Sequence, residues 1–197
     1  MKITAIYGSP RKNGNTDLLL DAFLKEFENP DHEIHRFYLR KMSISPCIEC
    51  EKCYTTGTCV LDDDMKTLYP LFKTSDIVVL ASPVFFYGLN ALAKAMVDRS
   101  QCCWAEKYLL NKTNTSKTIN QKGIFLSVGG AKGKRNFEGI ILTARYFFDA
   151  LNIEFTNQLL VKEIDQKGEI KNHPTALDDA CNLAKELLRS YPTIFQL

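Results

Sequence analysis

Short apolar runs ending in turn residues alternate with longer stretches of helical period along this chain of 197 residues. Ile3 to Tyr7 form the first run, closed by Gly8-Ser9-Pro10, and read as a buried parallel strand. A helix is predicted from Asn15-Thr16, with Asn15 as N-cap and Leu19, Leu20, Phe23, Leu24 and Phe27 as its core stripe. Asn29-Pro30 end it. Glu33 to Leu39, Asp76 to Ala81, Gly123 to Val128 and Glu154 to Val161 read as four further strands. Helical patterns run over Asp62–Phe72, Asn90 to about Trp104, Phe137–Leu151 and Thr175–Ser190. Strand and helix alternate five times. This predicts an α/β fold, a doubly wound five-stranded parallel sheet with helices on both faces. No repeat or linker divides the chain, so residues 1–197 are expected to form a single domain.

Two polar segments interrupt the alternation. Residues 43–62 are rich in Ser, Thr, Gly and Cys and read as a loop. Residues 109–121 read as an exposed loop. Composition narrows the partners: 25 Lys+Arg against 23 Asp+Glu leave a net charge of +2, which marks neither nucleic acid nor membrane. The charge is uneven, because the stretch from Lys107 to Arg135 is basic and holds no acidic residue. It reads as a solvated face or as a docking patch for an acidic protein. No apolar run is long enough for a membrane helix, and Ile3–Tyr7 is too short for a signal peptide. A cytoplasmic location is expected, where seven cysteines stay reduced or bind metal.

Three loops follow predicted strands and have unusual composition. In the first, residues 8–16, Ser9, Asn13, Asn15 and Thr16 offer side-chain donors and Arg11 a fixed positive charge, beside the amides of a helix start. It lacks the Lys-Ser/Thr of a P-loop and the G-x-G-x-x-G of a dinucleotide turn, so a monophosphate suits it best. The plain alternative is a capped strand-to-helix turn. In the second, Pro83, Val84, Phe85, Phe86, Tyr87 and Gly88 place three aromatics where they pack in the core or flank a flat ring. In the third, Gly129 and Gly130 allow close backbone approach to a ligand.

Cys47, Cys50, Cys53 and Cys59 are spaced C-x2-C-x2-C-x5-C. Such compact runs suit the corners of one iron–sulfur cubane. Zinc, metal-free thiols and a redox disulfide are the alternatives. Cys102, Cys103 and Cys181 read as packing residues. His32, His35 and His173 are scattered and form no hydrolytic pattern with a Ser or Cys. Asp62-Asp63-Asp64 read as a charge cluster at a helix start rather than a metal site.

The order GSPRKNGNT, SPVFFYG…KAMVDR, SVGG resembles the NADPH-dependent FMN reductase branch of the flavodoxin-like proteins, over nearly the whole chain. The cysteine motif narrows the resemblance to the iron–sulfur flavoproteins of that fold. The resemblance implies FMN, with its phosphate held by Ser9, Arg11, Asn13, Asn15 and Thr16. It implies a ring set against Pro83, Val84, Phe85, Phe86, Tyr87 and Gly88, with Gly129 and Gly130 opposite. It further implies a [4Fe–4S] cluster on Cys47, Cys50, Cys53 and Cys59, and a homodimer or larger homo-oligomer. The function expected is electron transfer from a ferredoxin-like donor through the cluster to FMN and on to a small-molecule or protein acceptor. No side-chain acid or nucleophile is required, since the cofactors carry the chemistry. The rivals are an FMN-only NAD(P)H-dependent reductase of quinones, flavins or other small acceptors, and a zinc-stabilised interaction module.

Overall fold

The computed structural model describes residues 1–112, 120–133 and 135–191. Its strands are β1 (Lys2–Tyr7), β2 (Glu33–Tyr38), β3 (Ile77–Phe85), β4 (Gly88–Leu89), β5 (Lys122–Gly129) and β6 (Glu154–Lys162). Its α-helices are α1 (Asn15–Leu24), α2 (Cys53–Thr56), α3 (Met65–Thr74), α4 (Ala91–Asp98), α5 (Gln101–Tyr108), α6 (Glu138–Ala150) and α7 (Ala176–Ser190). The long strands form a parallel sheet in the order β2-β1-β3-β5-β6. This is the winding of flavodoxin-like folds, in which the order reverses between β1 and β3.

All five predicted strands are present. The sixth, β4, is two residues that fold back antiparallel onto the end of β3, pairing Val84 with Leu89 and Phe85 with Gly88. The five-strand expectation missed it because so short a return carries no periodicity. The pattern over 90–104 resolves into two helices. The chain turns at Arg99-Ser100, where Ser100 N–H bonds the Val97 carbonyl. The expected exposed loop at 109–121 lies partly outside the described residues, as 113–119 are not among them.

Alternation along each strand sends side chains to two cores. Ile3, Ala5, Tyr7, Ile77, Val79, Ala81, Ile124 and Leu126 meet α1 and α7 on one face. Ile6, Val78, Leu80 and Phe125 meet α3, α4 and α6 on the other. Helices therefore cover both faces, which the continuous apolar strands require. Among the described residues no helix is long and apolar enough to cross a membrane.

One buried amide ties the carboxyl ends of the central strands together. Asn90, 3% exposed, caps α4 by accepting from the Leu92 and Ala93 amides. Its Nδ2 donates to the Gly8 carbonyl at 2.7 Å and to Ser82 Oγ at 3.1 Å. Gly8 N–H in turn bonds the Ala81 carbonyl at 2.7 Å, an approach so close that a Cβ on residue 8 would collide with that oxygen. Asn90→Ala removes a cap and leaves the Gly8 carbonyl unpaired. It is expected to cost about 2 kcal/mol of folding stability in urea denaturation.

Candidate functional site

The carboxyl ends of β1, β3 and β5 share one edge of the sheet, and the three loops singled out by composition lie there. The turn after β1 runs over Gly8–Gly14 and opens directly into α1. Ser9 is buried, and its Oγ accepts from Arg11 N–H at 3.2 Å. Asn13 holds a left-handed backbone, φ 53°, with its N–H on Asp17 Oδ2 at 2.9 Å. Thr16 is buried in the first turn of α1. Arg11 is exposed, and its Nη1 donates to the Asp165 carbonyl at 3.2 Å. The first-turn amides of α1 point into this turn, as at any helix start.

Asn15 differs from its expected role. Gly14 is the N-cap, and Asn15 is the first helical residue. The Asn15 side chain instead donates to the Gln166 carbonyl at 2.8 Å and accepts from Ile170 N–H at 3.3 Å. Together with Arg11, it fastens the segment after β6 to the turn after β1. Composition gave no signal for that segment, because its contribution is made by backbone groups: the Asp165 and Gln166 carbonyls and the Ile170 N–H.

Pro83 and Val84 are half-buried at the end of β3, while Phe85, Phe86 and Tyr87 are 47%, 104% and 58% exposed. Phe86 and Tyr87 sit at φ 47° and 62°, the two left-handed positions of a tight hairpin ending at Gly88. These aromatics stand on a protruding tip and not in the core. Gly129 ends β5 beside Val84, and a Cβ there would collide with the Asn136 amide. Gly130 is exposed next to Asp165. The donor set of the turn after β1 fits a phosphate, so these residues fit the phosphate end of FMN.

The cysteine segment forms a second feature on the other side of the sheet. Cys47, Cys50, Cys53 and Cys59 are free thiols lining one cleft of about 770 Å³, with Cys102, Tyr54, Arg99, Trp104 and Tyr146. Left-handed residues Glu49 and Glu51, φ 52° and 59°, fold the run back on itself. The segment is not wholly irregular: Cys53 opens the one-turn helix α2, closed by left-handed Gly57. Burial pushes the Cys53 thiol up, and the neighbouring Cys102, Cys59 and Cys47 add to the effect as like charges. A bound cation would relieve that repulsion, so the donor set fits a thiolate-held metal centre. Among the described residues, however, no three His, Cys, Asp or Glu side chains converge on a common metal position. Cys102 is buried and faces this cleft, beyond the packing role expected of it. A hydrogen bond from Cys103 draws its thiol down to about 7 against the effect of burial, with Tyr69 and Arg99 assisting.

Arg99 is what seats this segment. Its side chain is fully buried and bonds Asp63 twice, at 2.5 and 3.1 Å, and the Ser45 carbonyl at 2.9 Å. Cys59 is a further hydrogen-bonding neighbour of the guanidinium. Asp63 accepts from Ser45 N–H and Met65 N–H, and Asp64 from Ser43 N–H. Asp63 and Asp64 therefore tie the segment after the cysteine run to Ser43 and Ser45 before it, and α3 starts only at Met65. Composition marked the acidic triplet as a helix start alone.

The expected basic patch is largely paired. Lys107 bonds Asp149, Lys132 lies near Glu163, Arg135 bonds Glu138, and Lys122 sits over the Tyr191 ring. Lys117 and Lys134 lie outside the described residues. The histidines are local: His35 pairs with Glu33, His32 meets the N-terminus, and His173 accepts from the first amides of α7.

Burial acts to raise the Asp63 carboxyl, but hydrogen bonds from Arg99, Ser45 and Met65 outweigh it and hold it below the usual carboxylate range. A depressed folded pKa gives stability that is present above the unfolded value, about 3.9. It is lost as pH falls through the folded value. Asp63→Ala leaves Arg99 as an uncompensated buried charge and is expected to cost about 3–5 kcal/mol in urea denaturation at pH 7. Asp62→Ala, which removes only an exposed pair with Lys66, is expected to cost under about 0.5 kcal/mol.

The profile of the NADPH-dependent FMN reductase family matches residues 1–138. The chain is 43% identical over 99 residues to an iron–sulfur flavoprotein of Archaeoglobus fulgidus, covering 50% of this chain and 45% of that one. It is 34% identical over 132 residues to an iron–sulfur flavoprotein of Methanosarcina thermophila, covering 67% of this chain and 65% of that one. The matches thus span about half to two thirds of the length of these relatives. The structure of an NAD(P)H:quinone oxidoreductase from Methanothermobacter marburgensis superposes with a TM-score of 0.68 at 16% identity, covering 100% of this chain and 99% of that one. At that identity the likeness shows the fold alone. The chain belongs to the NADPH-dependent FMN reductase family.

Proposed function

We propose that the chain is an FMN-dependent oxidoreductase, with the flavin phosphate received by the turn after β1 and the ring lying toward Pro83–Gly88 and Gly129-Gly130. The observation that carries this reading is the start of α1. A helix start with free amides, buried Ser9 and Thr16, and the cation of Arg11 lies beside the β1/β3 reversal in a chain of this family. Ser9, Arg11, Asn13 and Thr16 are proposed to face the phosphate. Asn15 is proposed to support them by holding Gln166 and Ile170. No residue is proposed as an acid, base or nucleophile.

The finer reading adds a [4Fe–4S] cluster held by Cys47, Cys50, Cys53 and Cys59. Its support is the shared cleft of the four thiols and the names of the relatives. When bound, the flavin supplies one- and two-electron chemistry and the cluster one-electron chemistry, so together they would connect a ferredoxin-like donor to a two-electron acceptor. Among the described residues of the basic stretch, Lys107 and Arg135 are already paired with Asp149 and Glu138, so they offer less charge to such a donor. Exposed Phe86, Leu142 and Tyr146 offer apolar surface for a homodimer or larger homo-oligomer. The second reading, an FMN-only NAD(P)H-dependent reductase of quinones, flavins or other small acceptors, is favoured by thiols that do not converge on one metal position.

FMN should copurify or bind on addition. Arg11→Ala removes a charged phosphate partner worth about 1.5–3 kcal/mol, so FMN affinity should fall by about one to two orders of magnitude in a fluorescence titration. An unchanged affinity would remove Arg11 from the site. Iron and sulfide counts on anaerobic protein should fall to background in Cys53→Ser and persist in Cys181→Ala, with FMN retained in both. Stoichiometric zinc without iron would favour the second reading. So would stopped-flow reduction of the flavin by NADPH that is fast and unaffected by Cys50→Ser.

A further inference from the structure

The phosphate turn contains an acid that no phosphate site should welcome. Asp17 lies in the first turn of α1, its side chain 3% exposed, beside the amides that an incoming anion would use. A buried carboxylate there competes for the same positive helix end and repels a phosphate. Its partner comes from the neighbouring strand. Arg40, in the turn that follows β2, is 11% exposed and lies over the Tyr38 ring at 4.7 Å. Its Nη2 meets Asp17 Oδ2 at 2.9 Å, and its Nη1 donates to Asp17 Oδ1 at 3.2 Å and to the Ser9 carbonyl at 3.1 Å. Asp17 Oδ2 also takes the Asn13 N–H at 2.9 Å, at the residue whose backbone is left-handed. One ion pair therefore grips the turn at Ser9, at Asn13 and at the helix start, while cancelling the charge of Asp17. The planar guanidinium meets both Asp17 oxygens with its two terminal nitrogens while also reaching the Ser9 carbonyl, a fork that an ammonium lacks.

We propose that Arg40, acting through Asp17, is a positioning residue for the flavin phosphate: the pair holds the turn in its anion-receiving shape and neutralises the acid within it, without touching the ligand. This rests on the flavin reading above. The consequence is selective, because FMN carries the phosphate and riboflavin has the same ring without it. Perturbing the pair should change FMN binding and leave riboflavin binding nearly alone, whereas a residue that only supports the fold would weaken both together.

The test is a fluorescence-quenching titration of the flavin-free full chain with FMN and with riboflavin. In Arg40→Ala the FMN dissociation constant is expected to rise by about tenfold or more, and that of riboflavin to stay within about twofold. Arg40→Lys keeps the positive charge beside Asp17 but not the fork that reaches both Asp17 oxygens. Its FMN dissociation constant is expected to rise by about three- to tenfold, with that of riboflavin within about twofold. This variant keeps the proposal decidable if Arg40→Ala does not fold. Equal changes for both flavins, or FMN binding that is unchanged when Arg40 is replaced, would overturn it. If the unaltered protein binds neither flavin, the flavin reading itself fails and this proposal falls with it.

Discussion

All five long strands run the same way, and their order reverses between β1 and β3. A parallel strand needs a crossover, and crossovers of one hand place α1 on one face and α3 on the other. The loops leaving β1 and β3 therefore part, and the edge between them opens. The start of α1, whose first-turn amides have no acceptor within the helix, must lie at that opening. Asn90 sets its width by holding Gly8, Ser82 and α4 at fixed distances.

The two chemical features of the chain each depend on an arginine, half-buried or buried, paired with a buried aspartate side chain. Arg40–Asp17 shapes the turn before α1, and Arg99–Asp63 seats the cysteine run. The logic is the same in both. Irregular backbone cannot satisfy its own polar groups, so a forked cation and a carboxylate gather carbonyls and amides from segments distant in sequence. Arg99 bonds residues 36 and 54 positions away, and Arg40 bonds one 31 away. A buried pair of this kind adds little net stability over an apolar replacement, but losing one partner is costly. Both loops are thereby committed to one arrangement.

The strands, both helical faces and the loop chemistry could be read along the chain. Apolar runs of five to eight residues must be buried on both faces, and alternating helices supply the cover. Gly8-Ser9-Pro10, Gly129-Gly130 and the four cysteines were legible because their residue types restrict what the backbone or the side chain can do. The Asp-rich start of α3 was recognised as local charge, yet its principal partner is Arg99. The helix expected over 90–104 is interrupted at Arg99-Ser100, where Ser100 N–H bonds the Val97 carbonyl, and Arg99 reaches from this turn to the cysteine segment.

The amino-acid pattern alone determined the five long strands and the helical segments between them, which loops carry phosphate-type donors and which carry thiols, since those follow from local periodicity and residue chemistry. Tertiary structure alone decided that Asn15 serves the segment after β6, that Phe85–Tyr87 stand on an exposed hairpin tip, that Cys102 joins the other thiols at one cleft, and that Arg40 and Arg99 are the ion-pair partners of Asp17 and Asp63. The physical reason is range. Periodicity reports neighbours within a turn or a strand, whereas a hydrogen bond or ion pair joins whatever the winding of the sheet brings within about 3 Å, however far apart in sequence.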